Sequence, residues 1–519
     1  MNRLRHALLL SFALITASCA VGPHYHTPKP PADAGYAPTP ILEPSAAAPG
    51  AAAPGGAAAV HGGESQRLIS GQDIPFEWWQ VFQSPALNAL VERAFKANPS
   101  ITATQAALVQ AQELVYAQQG YFFPAIGANY NFQRTKIAGN FTVDDSPGTQ
   151  GNGDNLNPPL LDLKNFPHTA PLYYNYHTAA LDVGFVPDVF GANRRQVESL
   201  AAQRDAQRFA LEATYITLAS NVVAAAIQEA SVRAQIQATQ QIIAAEQKSL
   251  AVLRDQFRLG FAMRIDVAAQ ETALAQAKAM LPPLQTQFEQ TRDLIRALVG
   301  QLPNQDVPET FELDALALPP ELPLSLPAKI IEQRPDVRAA EAQLHAANAQ
   351  VGVAVAAMLP QFSITGNYGG NADQFAWMFR KGGPFWSLVG NASQPLFEGG
   401  TLLHRKRAAD EALKQAAAQY QSSVLTGYQN VADTLHASWS DAVALAANVR
   451  AENAARVTYQ LTQRQLDLGY VDYLTLLNAE ATYQQASIQR VQAQAMRYGD
   501  TVALFQALGG GWWNRTSVP

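Results

Sequence analysis

The 519-residue sequence has a single cysteine, Cys19, and cannot form a disulfide within one chain. Only 15 % of its residues are charged, and the net charge is −6. The sequence contains no block of basic residues, so it lacks the positive surface expected of a protein that binds nucleic acid. No stretch after the N-terminal leader reaches about 18 apolar residues, so no transmembrane helix is predicted. Abundant alanine and glutamine instead favour long helices packed closely through small side chains.

Recognisable catalytic signatures are also missing. The sequence has no G-x-S-x-G elbow, no Walker loop and no metal-spaced set of cysteines and histidines. His24 and His26 lie in a Pro/Ala/Gly-rich segment, and the remaining histidines are scattered. These absences predict a protein that is not an enzyme and that needs no cofactor or metal.

The N-terminus has the pattern of a secretion signal. Arg3 and Arg5 precede an apolar stretch that is too short to span a bilayer, and small residues lead to Cys19. Residues 1–18 are therefore predicted to be a signal peptide, and Cys19 the lipid-attachment residue of a bacterial lipobox that carries palmitate. Thr16 departs from the leucine usual at that position, and the alternative is an unmodified thiol. Residues 19–70 are interpreted as a lipidated N-terminus and tether, either flexible or ordered on contact.

The sequence contains an internal duplication. Pro99 and Pro124 bracket a helical stretch, and Pro335 and Pro360 bracket another of equal length, each followed by an alternating strand. Two further pairs of segments repeat: Gln256–Phe261 with Gln465–Tyr470, and Leu298–Gly300 with Leu508–Gly510. A period of about 210 to 240 residues indicates a duplicated domain and not a solenoid. The predicted domains are 71–302 for the first repeat, 303–326 for a linker, 327–511 for the second repeat and 512–519 for a tail.

Two stretches without proline predict very long helices. One runs from Ala192 to Leu259 and the other from Thr401 to Leu468, each about 100 Å long at about 1.5 Å per residue. Shorter return helices are predicted from Asp266 to Leu298 and from Tyr473 to Leu508. Pro282-Pro283 is expected to kink or break the first return helix.

Four segments alternate between apolar and polar residues, at 125–136, 172–186, 361–370 and 385–394. Strands of about ten residues with one apolar face are typical of a membrane β-barrel, although a sheet on a soluble core alternates too. Four strands cannot close a barrel, and open edges are costly in lipid. Chains must therefore pool strands, and three copies give a 12-stranded barrel wide enough for a channel.

Six segments carry a family resemblance: Cys19–Pro23, Trp78–Phe82, Pro187–Gly191, Pro395–Gly400, Leu468–Ala479 and Ala507–Trp512. Over nearly the whole mature chain they resemble the TolC/OprM outer-membrane efflux family, in its lipoprotein, NodT-like branch. The resemblance implies a homotrimer with a membrane β-barrel and an α-helical barrel that extends into the periplasm from the outer membrane of a Gram-negative bacterium. It also implies a periplasmic adaptor protein and an inner-membrane pump as partners, with the proton-driven RND type favoured.

The resemblance assigns roles to two helix turns and to the segment after the second turn. Gly260, Phe261, Gly469 and Tyr470 correspond to the tips that contact the adaptor, although the glycines also fit plain helix caps. The resemblance places the pore constriction at four residues: Leu474, Asn478, Asp472 and Asp266. Family members such as OprM carry Asp at the position of Asn478, so the carboxylate ring is displaced or absent here.

The predicted function is that of a passive exit duct for drugs or other small molecules, delivered by an inner-membrane pump. The alternative is a non-conducting structural lipoprotein that spans the periplasm. The duplicated amphipathic strand pairs favour the duct, because a scaffold has no need of them.

Overall fold

The computed structural model describes residues 20–29, 35–36, 61–137, 172–325 and 327–515, so the predicted signal peptide and Cys19 lie outside the described residues. Its strands are β1 (Arg67–Ser70), β2 (Ala125–Ile137), β3 (Leu172–Phe185), β4 (Glu321–Leu324), β5 (Gln361–Ala372) and β6 (Pro384–Ser393). Its α-helices are α1 (Pro85–Ala97), α2 (Pro99–Gln119), α3 (Ala192–Arg258), α4 (Arg264–Leu298), α5 (Pro327–Gln333), α6 (Pro335–Ala356), α7 (Thr401–Asp467) and α8 (Tyr473–Ala507).

The long helices form where proline is missing. Both α3 and α7 contain 67 residues, and both begin and end close to the predicted positions. Among the described helices, α3 alone holds a window apolar enough by composition to cross a membrane, and 67 % of that window is buried inside the protein. This burial is the pattern of a core helix.

Of the kink or break predicted at Pro282-Pro283, the break does not occur, because α4 continues through both prolines. Each proline removes a backbone donor, which leaves a carbonyl one turn earlier without its helical partner. Both prolines are exposed, so water can satisfy those carbonyls. Thr286 also donates its hydroxyl to the carbonyl of Pro282 at 3.0 Å, within the next turn. Exposure therefore makes the double proline tolerable here.

The chain forms two compact units, and the first comprises Met1–His24, Leu114–Ser199 and Asn348–Asp410. It contains an antiparallel sheet of four strands in the order β2-β3-β5-β6. The four predicted strands are confirmed with bounds within two residues at each end. In this order, one edge of β2 and one edge of β6 have no partner strand within the described sheet.

The register of this sheet sorts its side chains by polarity. Leu181 lies opposite Tyr368, which lies opposite Trp386, and all three side chains are exposed. On the other face Asp182 lies opposite Asn367, and Asn129 donates a hydrogen bond to Asp182. The sheet therefore has one apolar and one polar face, as the period of two predicted.

The residues that follow Cys19 pack against the same unit. The backbone N–H of Val21 donates to the carbonyl of Phe190 at 3.1 Å, and Arg195 donates from Nε to the carbonyl of Val21 at 3.0 Å. A Cβ added at Gly191 would lie 2.7 Å from the Cα of Ala20. The start of the predicted tether is therefore ordered by its contacts with this unit. It approaches residue 191 so closely that only glycine fits there.

The second unit comprises Tyr25–Glu113, Leu200–Ala347 and Glu411–Pro519. Its core includes Trp78, which stacks on Phe505 with ring centroids 5.3 Å apart, and Tyr498, whose hydroxyl donates to the carbonyl of Leu316 at 2.8 Å. A parallel pair of strands, β1 and β4, joins the end of the predicted tether to the predicted linker. Buried side chains of 303–326 extend this core: Val307, Phe311, Leu313, Leu316, Leu318 and Leu322.

One buried ion pair holds the end of the chain to this core. Arg515 donates from Nη2 to Oε1 of Glu212 at 2.7 Å, and the two side chains are 6 % and 8 % exposed. Burial raises the pKa of Glu212, against the opposing effect of Arg515 and Arg208. The carboxylate is therefore tolerated as a charge only while the guanidinium is present.

Replacing the arginine alone should be destabilising. Arg515→Met leaves the Glu212 carboxylate buried and unpaired, which costs roughly 3 to 5 kcal/mol. We expect a lower apparent melting temperature by circular dichroism at neutral pH and a smaller loss at acid pH, where Glu212 is protonated. The double variant Arg515→Met/Glu212→Leu is the control and should recover most of the loss. Equal destabilisation of both variants would show that lost packing, and not the unpaired charge, is the cause.

Candidate functional site

The turn after α3 is closed by a glycine in the left-handed conformation. Gly260 has φ +82°, and its N–H donates to the carbonyl of Phe257 at 3.1 Å. The N–H of Phe261 donates to the carbonyl of Gln256 at 2.8 Å. This pair of bonds is a Schellman motif, which satisfies carbonyls that the end of the helix leaves free. The Phe261 side chain is 82 % exposed as a result.

The turn after α7 has the same geometry. Gly469 has φ +75°, and its N–H donates to the carbonyl of Leu466 at 2.9 Å. The N–H of Tyr470 donates to the carbonyl of Gln465 at 2.9 Å, and its side chain is 78 % exposed. Each of the two long helices therefore ends in a tight turn that presents one aromatic ring to solvent. Exposed apolar side chains surround these rings: Leu259, Met263, Ile265 and Leu468.

The two aspartates of the predicted constriction cap the helices that follow these turns. Asp266 accepts from the N–H of Met263 at 2.9 Å. Asp472 accepts from the N–H of Thr475 at 2.8 Å and from the hydroxyl of the same residue. These hydrogen bonds hold the pKa of Asp472 below its usual range, so this exposed group stays ionised.

Leu474 and Asn478 lie on one exposed face of α8, as residues four apart in a helix do. Leu474 is 58 % exposed. The opposite face carries Leu476, Ala479 and Glu480, all of which are buried. The structure therefore brings the leucine and the amide together on a surface that a single chain leaves open.

Sequence reasoning missed a buried polar network beside these residues. Glu246, Gln270 and Glu480 are all buried, and they come from α3, α4 and α8. The sequence does hold a signal, because Glu480 lies four residues after buried Leu476 and so falls on the buried stripe of α8. Among the residues that the structure describes, no group of three or more acidic, histidine or cysteine side chains could hold a metal ion.

Comparison with known proteins identifies the class of protein that this combination of sheet, long helices and turns defines. The family model of the outer membrane efflux protein matches residues 90–301 and 326–510. The chain belongs to the outer membrane efflux protein family. The predicted family, the role as an efflux channel and the location in the outer membrane of a Gram-negative cell, with extension into the periplasm, are confirmed.

Two curated relatives cover most of the chain. The pyoverdine export outer membrane protein OpmQ of Pseudomonas putida is 26 % identical over 460 residues, which are 87 % of this chain and 92 % of the relative. The toluene efflux pump outer membrane protein TtgC of Pseudomonas putida is 26 % identical over 508 residues, or 97 % of this chain and 95 % of the relative.

Solved structures agree with the fold. The outer-membrane channel OprN is 25 % identical and superposes with a TM-score of 0.78 over 95 % of this chain and 100 % of that chain. The CmeC outer membrane channel of Campylobacter jejuni superposes with a TM-score of 0.78 at 18 % identity, over 95 % of each chain. The predicted combination of a membrane sheet with long helices is thus the fold of known outer-membrane channels.

The turn glycines should matter for their backbone conformation and not for their size. A Cβ at Gly260 or Gly469 would meet no atom within 4 Å, so alanine costs only the left-handed φ, about 1 kcal/mol. Gly260→Ala should speed hydrogen exchange of the Phe261 amide about fivefold, because the Schellman bond opens more often. Mass spectrometry of exchanged peptides measures this. Gly260→Asn is the matched control and should have a smaller effect, and equal effects would contradict the backbone explanation.

Proposed function

We propose that three copies of the chain pool their strands into a 12-stranded barrel, which passes small molecules out of the cell without a cofactor. The observation that carries the proposal is the sheet with one apolar face, whose outer edges at β2 and β6 pair with no other strand in the described part of the chain. Lipid cannot satisfy an open edge, whereas a neighbouring copy can pair β6 with β2. Twelve strands also leave a lumen, which eight would fill with side chains.

The two repeats contribute the same elements to the proposed barrel and tunnel. We assign 71–302 and 327–511 as the two efflux repeats, joined by 303–326, with a tail at 512–519 and a tether at 19–70. Each repeat supplies two strands and one helix of 67 residues, about 100 Å in length. Three chains would contribute six such helices to the wall of a tunnel.

The turns that close α3 and α7 are the proposed contacts for a periplasmic adaptor protein. Gly260, Phe261, Gly469 and Tyr470 present an exposed apolar and aromatic surface, which suits a protein partner better than water. Relatives such as TtgC are named as components of efflux pumps, which supports an inner-membrane pump as the second partner. We propose the proton-driven RND type. The pump selects the cargo, and the names of relatives range from toluene to pyoverdine.

Leu474 and Asn478 are the proposed periplasmic aperture. Their exposed face would meet two symmetry-related copies around the axis of a trimer, and three leucines would then form an apolar plug. Three amides carry no charge, in contrast to three carboxylates, which repel one another and attract cations. Asp472 and Asp266 would add fixed charge close to this constriction.

Planar-bilayer recordings test the channel and its aperture together. Leu474→Ser should raise resting conductance several-fold because it loosens the plug, and Asn478→Asp should raise cation selectivity and block by divalent ions. Leu425→Ser, at a leucine of α7 that is 69 % exposed, is the control and should leave both properties unchanged. If neither aperture variant changes conductance or selectivity, the constriction lies elsewhere, and Asp472 and Asp266 are the next residues to replace.

Cys19 is the proposed lipid attachment to the outer membrane. The ordered contacts of Ala20 and Val21 begin directly after it, in the same unit as the membrane sheet. We expect mass spectrometry of the mature protein to show an acylated N-terminal Cys19, and Cys19→Ser to block lipidation. The variant should remain in the membrane, because the barrel inserts without the anchor. An unmodified Cys19 in the mature protein would contradict this assignment.

A further inference from the structure

Two buried carboxyl groups lie between the helices just behind the proposed aperture. Glu246 on α3 is 3 % exposed, and Glu480 on α8 is 5 % exposed. The side chain of Gln484, one helical turn after Glu480 on α8, donates to Oε1 of Glu246 at 3.2 Å, which places Glu246 beside this face of α8. Gln270 of α4 donates to the carboxylate of Glu246 and, at 3.1 Å, to its backbone carbonyl. Three helices therefore meet at this pair.

The same network reaches the first turn of α8. The hydroxyl of Tyr473 donates to Oε1 of Gln270 at 2.7 Å. Tyr473 is the first residue of α8 and immediately precedes Leu474. Tyr459 of α7 stacks on Tyr483 of α8 with ring centroids 6.0 Å apart, which brings the fourth helix to the cluster. The hydrogen bonds from Glu246 through Gln270 to Tyr473 thus position the turn that carries the proposed plug.

The titratable groups beside the pair are not basic. Tyr459 of α7 and Tyr473 of α8 lie next to both carboxyls, with Tyr483 beside Tyr459 and Asp266 beside Tyr473. Among the described residues, no Lys, Arg or His forms an ion pair with Glu246 or Glu480. Two buried carboxylates without a cation cannot both ionise at low cost. Burial, and then the charge of Glu246, raise the pKa of Glu480 to about 7.

We propose that Glu480, buried beside Glu246, forms with it a pH-sensitive latch that holds the first turn of α8 closed while Glu480 is protonated and releases it when Glu480 loses its proton. This inference deepens the proposed function, on which it rests. Opening exposes the pair to water and returns the pKa of Glu480 to its ordinary value. The closed packing therefore binds one proton more than the open form.

The sign of the effect follows from the direction of the shift. Because the closed form has the higher pKa, closure is favoured fully below about pH 4.5 and weakens as pH rises through about 7. The open-to-closed ratio should therefore increase with pH, by on the order of a hundredfold at most across this window. Tyr459 and Tyr473 do not titrate here, since burial raises the pKa of each hydroxyl above its ordinary value.

Opening probability in planar bilayers between pH 5 and pH 8, with the full-length protein, tests the latch. Wild type should open more often as pH rises. Glu480→Gln keeps a neutral hydrogen-bonding group at all pH values. Its opening probability should therefore stay at the low level that wild type shows at acid pH. Glu246→Gln removes the neighbouring charge and should move the rise to lower pH. An unchanged pH profile in both variants would overturn the latch.

Two controls separate this pair from other carboxyls. Glu289→Gln removes an exposed carboxylate of α4 and should leave the profile unchanged. Asp500→Asn is the sharper control, because burial and the neighbouring Asp441 raise the pKa of Asp500 to about 7 on the same helix, 20 residues away. If Asp500→Asn flattens the profile and Glu480→Gln does not, the latch is wrong.

A second readout does not need conduction. Hydrogen exchange of residues 473–484 should quicken with pH beyond the intrinsic base catalysis in wild type, and this excess should vanish in Glu480→Gln. If wild type does not conduct under any condition, the proposed function fails, while hydrogen exchange still decides the latch. Conduction with no excess exchange and no change in the variants would contradict the latch and leave the channel standing.

Discussion

A backbone N–H or C=O that enters lipid must find a partner within protein, at a cost of several kcal/mol for each failure. The sheet β2-β3-β5-β6 meets this requirement inside, but among the described residues no strand pairs with its two outer edges. Its apolar face, with Leu181, Tyr368 and Trp386 side by side, commits it to lipid in spite of those edges. The proposed assembly of several copies therefore follows from hydrogen bonding, and the proposed lumen follows from the number of strands that closure would bring together.

The helices carry a related constraint at their ends. Two helices of 67 residues must turn back within a few residues, and each does so through one glycine with positive φ and one aspartate cap. Because the turns are so short, the aromatic rings of Phe261 and Tyr470 remain exposed to solvent. It also places the caps, the exposed face of Leu474 and the buried Glu480 within two or three helical turns of one another. The proposed adaptor contact at the second turn, the proposed aperture and the proposed latch thus lie within a short distance of the start of α8.

Much of this architecture could be predicted from local signals. The alternation of apolar and polar residues predicted the four strands of the sheet, and the absence of proline predicted the two long helices. The helix is not broken at Pro282-Pro283, one of the two outcomes predicted there, because exposure, which the sequence does not report, decides whether the freed carbonyls find water. Strands β1 and β4 were missed because four residues are too few to show a period, and their pairing joins segments that are distant in sequence. The acidic pair was missed for the same reason, since only packing brings Glu246 to Glu480.

The pooling of strands is the central claim, and the mass of the detergent-extracted particle tests it most directly. Crosslinking followed by mass measurement should give three chains per particle, and hydrogen exchange on the same particle should show the edge strands β2 and β6 as protected as β3 and β5. A folded monomer with protected edge strands, or an oligomer in which β2 and β6 exchange freely while β3 and β5 do not, would contradict the account.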